Sequence, residues 1–195
     1  IYARELGYRI KLIASARALD GGVAQRCNPV LLPNDHPLAK IDGALNAIVV
    51  DSATRGRLTF AGAGAGGAAT AAAVASDLID LLAEAKRSVF GVKSESLGRF
   101  SAGAAPDASG QFYMRLRLKD RPGAIASVSD ALARHGVSID SFLQKTVTDA
   151  SGVPIVMTTH DVQESVLRRC AAELATLESV VGAPCVMPME TAASA

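Results

Sequence analysis

Apolar and polar positions alternate along Tyr8–Leu19: Ile10, Leu12 and Ala14 fall on one side, Arg9 and Lys11 on the other. A period of two predicts a half-buried strand. Gly21-Gly22 predicts a turn, and VAQRCNPVLLP (23–33) a second strand paired with the first as a hairpin. Ile1–Leu6 reads as the end of a helix, closed by Gly7 at its C′ position. Residues 34–52 open with turn chemistry and end in the strand AIVV, and GRLTFA predicts another strand. From Ala68 to Arg87 the period becomes helical. Val74, Leu78, Leu81 and Leu82 stand at core spacing, and Lys86-Arg87 complement the dipole at the C-terminal end.

At Ser88 the character changes. KSESLGRFSAGAAPDASG is rich in Ser, Gly and Ala and nearly free of large apolar residues, so residues 93–110 are expected to form a linker. Periodicity then resumes. FYMRLRL (112–118) predicts a strand, DRPGAIASVSDALARHG a helix with its stop signals, VSIDSFLQKTVT and GVPIVMTTH two strands, VQESVLRRCAAELATL a helix and SVVGAPCVMPM a last strand. The expected buried stripes are Ile125, Val128 and Leu132 on the first helix, and Val166, Leu167, Cys170, Leu174 and Leu177 on the second. The order βαββαβ predicts a ferredoxin-like unit at 111–190, followed by a short tail at 191–195. Helices cover one face of such a sheet, and the other face must meet solvent or a partner.

Composition narrows the function classes. The chain has 195 residues, 49% hydrophobic and 20% charged, which suits one or two globular domains. The net charge of +1 is not gathered into a basic run, and aromatics are only 4% with Trp absent. That pattern argues against nucleic acid or a membrane surface as partner. Cys27, Cys170 and Cys185 form neither a CxxC motif nor a cluster with His, so no metal site is expected. They read as small buried hydrophobes of a protein kept in a reducing, cytoplasmic compartment. No apolar run is long enough to span a bilayer, and no signal peptide is expected. The chain opens on IYAREL, as if inside a helix and without Met, so a fragment of a longer protein is expected.

The stretch FAGAGAGGAATAAAVASDLIDLL (60–82) raises the sharpest chemical question. Gly62-x-Gly64-x-x-Gly67 satisfies the dinucleotide fingerprint, but no second strand with an acidic end follows it. No Lys-Ser/Thr follows either, which removes a phosphate-loop reading. Two alternatives remain open from the residues alone. The glycines permit close helix packing, or they bring bare N–H groups to a ligand held mainly by another domain.

Three stretches together resemble the C-terminal part of homoserine dehydrogenase: ARELGYRIKLIASAR (3–17), HPLAKIDGALNAIVV (36–50) and GAGAGGAATAAAVASDLIDL (62–81). Two positions depart from the family pattern: Ala69 stands where it has Pro, and Ala72 where it has Ser. Pro at the first helical position preorganises a helix start, so a looser entry is expected here. The resemblance implies an α+β fold, with residues 1–92 the end of a mixed α/β substrate and dimerisation domain. It implies an enzyme that reduces aspartate 4-semialdehyde to homoserine with NAD(P)H. The family's Rossmann domain and catalytic Lys and Asp would lie upstream, so no catalytic residue is expected within these 195. Gly66 is then the position expected to touch the cofactor, and His36 is expected at the entrance to the substrate site. The bland reading of His36 is a turn histidine capping a short helix. Lys11 and Lys40 read as members of a solvated face.

LKDRPGAIASVSDALARHGVSIDSFLQ (118–144) resembles an ACT domain, a module that binds amino acids. Pro122 suits a first helical turn. The amides of Gly123, Ala124 and Ile125 are placed to meet a carboxylate. Asp120 and Gln144 complete the expected effector site. Arg134 and His135, with Gly136 after them, read as helix-end cations. The implied effector is threonine, as feedback in threonine and methionine biosynthesis, and the implied assembly is a dimer or tetramer. The alternative is a non-enzymatic regulatory module whose ligand site has lapsed into dimerisation.

Overall fold

Tyr2–Glu5 forms a short helix, α1, and Gly7 closes it at φ +83 by donating its N–H to the Arg4 carbonyl at 3.1 Å. β1 (Tyr8–Leu19) and β2 (Gly22–Pro33) follow as an antiparallel hairpin, in register from Tyr8↔Pro33 to Leu19↔Gly22. The computed structural model describes residues 1–19, 22–83, 91–98, 101–102, 107–144 and 152–190. Gly21 of the expected turn, Lys86-Arg87 of the expected helix end and residues 145–148 of the expected strand lie outside them. Contacts group the chain into two units, residues 1–36 with 102–195, and residues 37–101.

In the unit of residues 37–101, a 3-10 turn (Pro37–Lys40) leads to β3 (Leu45–Ser52) and β4 (Gly56–Ala63), paired antiparallel from Leu45↔Ala63 to Ser52↔Gly56. The Ser52 hydroxyl accepts the N–H groups of Thr54 and Arg55, each at 3.4 Å, and Gly56 takes the left-handed step at φ +66. Asp51 receives a two-pronged Arg57 guanidinium at 2.8 and 3.2 Å across the same pair. α2 runs over Gly67–Leu82. Its expected core face is not buried: Val74, Leu78, Leu81 and Leu82 are 53 to 85% exposed. Helical spacing identifies the face that favours burial, but it does not supply the cover. The same correction holds for Ile10 and Leu12 of β1, which are exposed here.

The other unit carries the expected βαββαβ order. β5 (Phe112–Leu118), α3 (Ala124–Arg134), β6 (Ile139–Gln144), β7 (Val153–Thr159), α4 (Glu164–Leu174) and β8 (Cys185–Pro188) make a four-stranded sheet ordered β8-β5-β7-β6, every neighbour antiparallel. The alternation in FYMRLRL turns Phe112, Met114, Leu116 and Leu118 onto the helices. Leu167, Cys170 and Leu174 of α4 meet them as the spacing predicts. On α3 the buried stripe is Ala124, Val128, Ala131 and Leu132, while Ile125 is 43% exposed, a correction to the expected stripe. Helical spacing fits either set, and the side of the helix laid on the sheet decides between them. At the far end, His135 Nε2 lies 2.7 Å from Glu173, which Arg134 also binds. Those bonds, Arg134's first, hold the Glu173 carboxyl below the usual carboxylate range. His135 is thus a tie between helices.

The cysteines separate by environment. Cys170 is fully buried, and burial pushes its thiol up to about 11. Cys27 is exposed, against the expectation that all three are buried. Native alkylation of this chain at pH 8 is expected to label Cys27 first and Cys170 only after denaturation, because the thiolate is the nucleophile. Peptide mapping by mass spectrometry checks this; native labelling of Cys170 at the rate of Cys27 would contradict it.

Candidate functional site

The turn into α3 is built by its own sequence. Arg121 N–H donates to the Lys119 carbonyl at 2.9 Å, and Ala124 N–H to the Arg121 carbonyl at 3.3 Å. Gly123 is the cap residue, left-handed at φ +83, where a side chain is strained. Pro122 therefore precedes the cap rather than sitting in the first helical turn. Its role is to fix φ ahead of the left-handed step. Of the three amides expected to receive a carboxylate, that of Ala124 already has an acceptor. The Ile125 N–H lies in the first turn, where no intrahelical acceptor exists.

A cavity of about 400 Å³ opens at this turn, lined by Arg121, Pro122, Gly123, Ala124 and Ser127, and by Leu177, Glu178 and Ser179 from the loop after α4. Arg121 Nη1 lies 2.7 Å from Glu178 Oε1, and Lys119 Nζ lies 3.8 Å from the same oxygen. The hydrogen bond from Arg121 holds the Glu178 carboxyl below the usual carboxylate range. The Ser127 hydroxyl donates to the Ala124 carbonyl at 2.8 Å and lies 2.7 Å from the Ser179 hydroxyl. Ser179 is 4% exposed, and its carbonyl accepts the Lys119 N–H at 2.9 Å. The cavity thus offers a cation, an anion, two hydroxyls and a helix start within one small volume.

Gly123 and Ala124 are brought into this cavity. Asp120, Ile125 and Gln144 are not among its lining residues; Asp120 is exposed beside the turn, and Gln144 is exposed at the end of edge strand β6. Arg121, Ser127, Glu178 and Ser179 were not singled out from the sequence. Arg121 had a signal, standing inside the Asp-Arg-Pro-Gly turn. Glu178 and Ser179 had none, being more than fifty positions away in the chain.

The glycine loop divides its labour. Gly64 carries the close approach: a methyl group there would lie 1.6 Å from Asn46 Nδ2. Gly66 caps α2 at φ +111 and ψ 150, and its carbonyl accepts both the N–H and the hydroxyl of Thr70, at 3.1 and 3.0 Å. A methyl group on Gly62, Gly66 or Gly67 would meet nothing within 4 Å. Among the described residues, Gly66 and Gly67 thus stand bare and open at the N-terminus of a sixteen-residue helix, with Gly62 before it in β4. His36 is half-buried in the turn before Pro37–Lys40, donating its N–H to the Pro33 carbonyl at 3.0 Å. Among the described residues no group of three His, Cys, Asp or Glu side chains is placed to hold a metal, and no helix is long and apolar enough to cross a membrane.

Comparison with known proteins divides the chain in two. Residues 1–79 match the family described as homoserine dehydrogenase, and residues 112–178 match the ACT domain. Homoserine dehydrogenases of Pseudomonas aeruginosa and Mycobacterium leprae are 33% and 35% identical, over 93% and 97% of this chain. A solved homoserine dehydrogenase from Thiobacillus denitrificans superposes with a TM-score of 0.80 at 34% identity, over 97% of this chain and 44% of its own. One from Staphylococcus aureus shares the fold, with a TM-score of 0.65 at 24% identity over 98% of this chain. The chain spans under half the length of the curated relatives it matches, 43% and 45% for the two above.

Proposed function

The chain belongs to the homoserine dehydrogenase family by residues 1–79 and carries an ACT domain at 112–178, and from that premise we propose that it is the C-terminal part of an amino-acid-regulated homoserine dehydrogenase. The whole enzyme reduces aspartate 4-semialdehyde to homoserine, with a nicotinamide cofactor supplying the hydride. Residues 1–92 serve the end of the substrate and dimerisation domain, 93–110 the linker and 111–190 the regulatory domain. The glycine loop fits a place beside that cofactor: Gly66 and Gly67 present open backbone at a helix start, where partial positive charge gathers, and Gly62 is open just before it in β4. His36 stands at the substrate entrance in this reading. The assembly is a homo-oligomer.

The cavity at the start of α3 carries the regulatory half of the proposal. An amino acid is a zwitterion and needs an anion site and a cation site. Arg121 and the helix start suit its carboxylate; Glu178 suits its ammonium, and Asp120, next to Arg121 in sequence, is a second carboxylate beside the turn. Arg121 and Glu178 neutralise each other in the free chain, but solvent screens an exposed pair, so a ligand displaces it at little cost. Ser127 and Ser179 can bond a β-hydroxyl, which favours threonine over an apolar amino acid of similar size.

Calorimetry on this chain with threonine, isoleucine, methionine and lysine tests the reading. Threonine is expected to bind most tightly, with affinity falling about tenfold in Arg121→Met, a loss of roughly 1.4 kcal/mol. Asp120→Ala is expected to weaken binding less. Gly123→Val is a poor test, because φ +83 strains any side chain there and mixes folding with binding. No heat from any of the four at millimolar concentration would leave a dimerisation module without a ligand.

A further inference from the structure

The sheet of the C-terminal unit is covered on part of its second face, while Arg115 and Arg117 of β5 stay exposed on the rest of it. On β5 and β7 the side chains that point away from the helices include Tyr113 and Val156, which are only 3% and 1% exposed. Their cover is Ala3 of α1, Leu31 of β2 and Met189, all at most 8% exposed, gathered with them in a second apolar cluster. The backbone is stitched at the same place. Leu31 and Met189 form a parallel bridge, and Glu190 N–H donates to the Leu31 carbonyl at 2.9 Å. Asn34 N–H donates to the Gly7 carbonyl at 3.1 Å, tying the end of α1 to the end of β2. Arg26 of the hairpin reaches Glu164 at the start of α4, 3.6 Å away.

One sheet therefore serves two cores. Along β5, Phe112 and Met114 belong to the helix-side core and Tyr113 between them belongs to the other. A strand is stiff against separate movement of adjacent residues, and close-packed interiors do not deform continuously. A shift of β5 or β7 that repacks one core must therefore disturb the other. We propose that this seat is the joint through which the state of the ACT sheet reaches the segment matched to homoserine dehydrogenase, the route running from Tyr113 and Val156 to Ala3 and Leu31 rather than along residues 93–110. The regulatory meaning rests on the reading of residues 112–178 given above; the coupling itself is a property of the packing.

Hydrogen exchange on this chain, read by mass spectrometry, tests it in both directions. Ile155→Val removes one methylene from the helix-side core, at a residue outside the second cluster. It is expected to speed exchange in β5 and β7 by roughly twofold to tenfold, and to speed residues 1–8 and 29–35 by a similar factor. The β3–β4 hairpin, residues 45–63, should not change. Ala3→Asp, which places a charge under Tyr113 and Val156, is expected to speed β5 and β7 in turn. Acceleration confined to the segment carrying the substitution, in either variant, would overturn the proposal. Threonine is absent from this experiment, so a failed titration removes the effector while the exchange result still decides the joint.

Discussion

Gly152→Ala is expected to lower the stability of the C-terminal unit by about 3 kcal/mol, from backbone strain and overpacking together. Gly152 leads into β7 at φ +92, a conformation that L side chains rarely adopt. A methyl group there would lie 2.7 Å from the Leu118 carbonyl oxygen and 3.3 Å from its carbon. Both atoms belong to a paired strand, and Leu118 opposes Val153 in the sheet, so neither can yield cheaply. Gly182→Ala separates the two causes. Gly182 sits at φ +72 with open space around it, so strain alone remains, about 1 kcal/mol. Thermal unfolding by circular dichroism should place the Gly152 variant roughly 10 °C below the parent and clearly below the Gly182 variant. Equal losses in the two variants would mean that the Leu118 contact carries no penalty.

The second large effect concerns the glycine loop; it follows from the proposed function and is read in a full-length homoserine dehydrogenase carrying this segment. Gly66→Val is expected to raise the KM for the nicotinamide cofactor about tenfold or more, equivalent to at least roughly 1.4 kcal/mol of binding. It also costs stability, because φ +111 with ψ 150 is a region open essentially to glycine alone, at about 1–3 kcal/mol. Kinetics must therefore be expressed per folded molecule. Gly62→Ala is the cleaner probe. Gly62 lies in β4 with an ordinary backbone, and an added methyl group meets nothing within 4 Å. Its thermal midpoint should be unchanged, so any rise in KM reports a neighbour outside the described residues. Normal cofactor kinetics in both variants would leave the loop with a packing role only.

The same loop shows how the sequence and the tertiary structure share the determination. Four glycines before a small-residue helix mark a place where backbone is bare, and that much is local chemistry. Which glycine does what is not local. Gly64 is required by Asn46, eighteen positions earlier in the chain, while Gly66 is required by its own dihedral angles. Spacing cannot separate a steric demand from a conformational one.

Periodicity determined the βαββαβ unit almost completely. Alternation in FYMRLRL and helical spacing at Leu167, Cys170 and Leu174 each report one face of one element, and each face met the expected core. The Asp-Arg-Pro-Gly turn marked the candidate ligand site for the same reason: its left-handed glycine and helix start are written within four residues. What completes that site, Glu178 and Ser179, is brought in by the fold from the loop after α4.

Burial outside that unit was decided by tertiary structure alone. Val74 and Leu78 on α2 and Ile10 and Leu12 on β1 carry the same apolar pattern as Leu167 and Leu174, yet they are exposed here. Ala3 and Leu31 are buried, because the second face of a distant sheet receives them. A pattern states what a face prefers, since transfer of apolar surface from water is favourable wherever cover exists. Whether the cover comes, and from which part of the chain, is fixed by long-range contacts that no window of sequence contains.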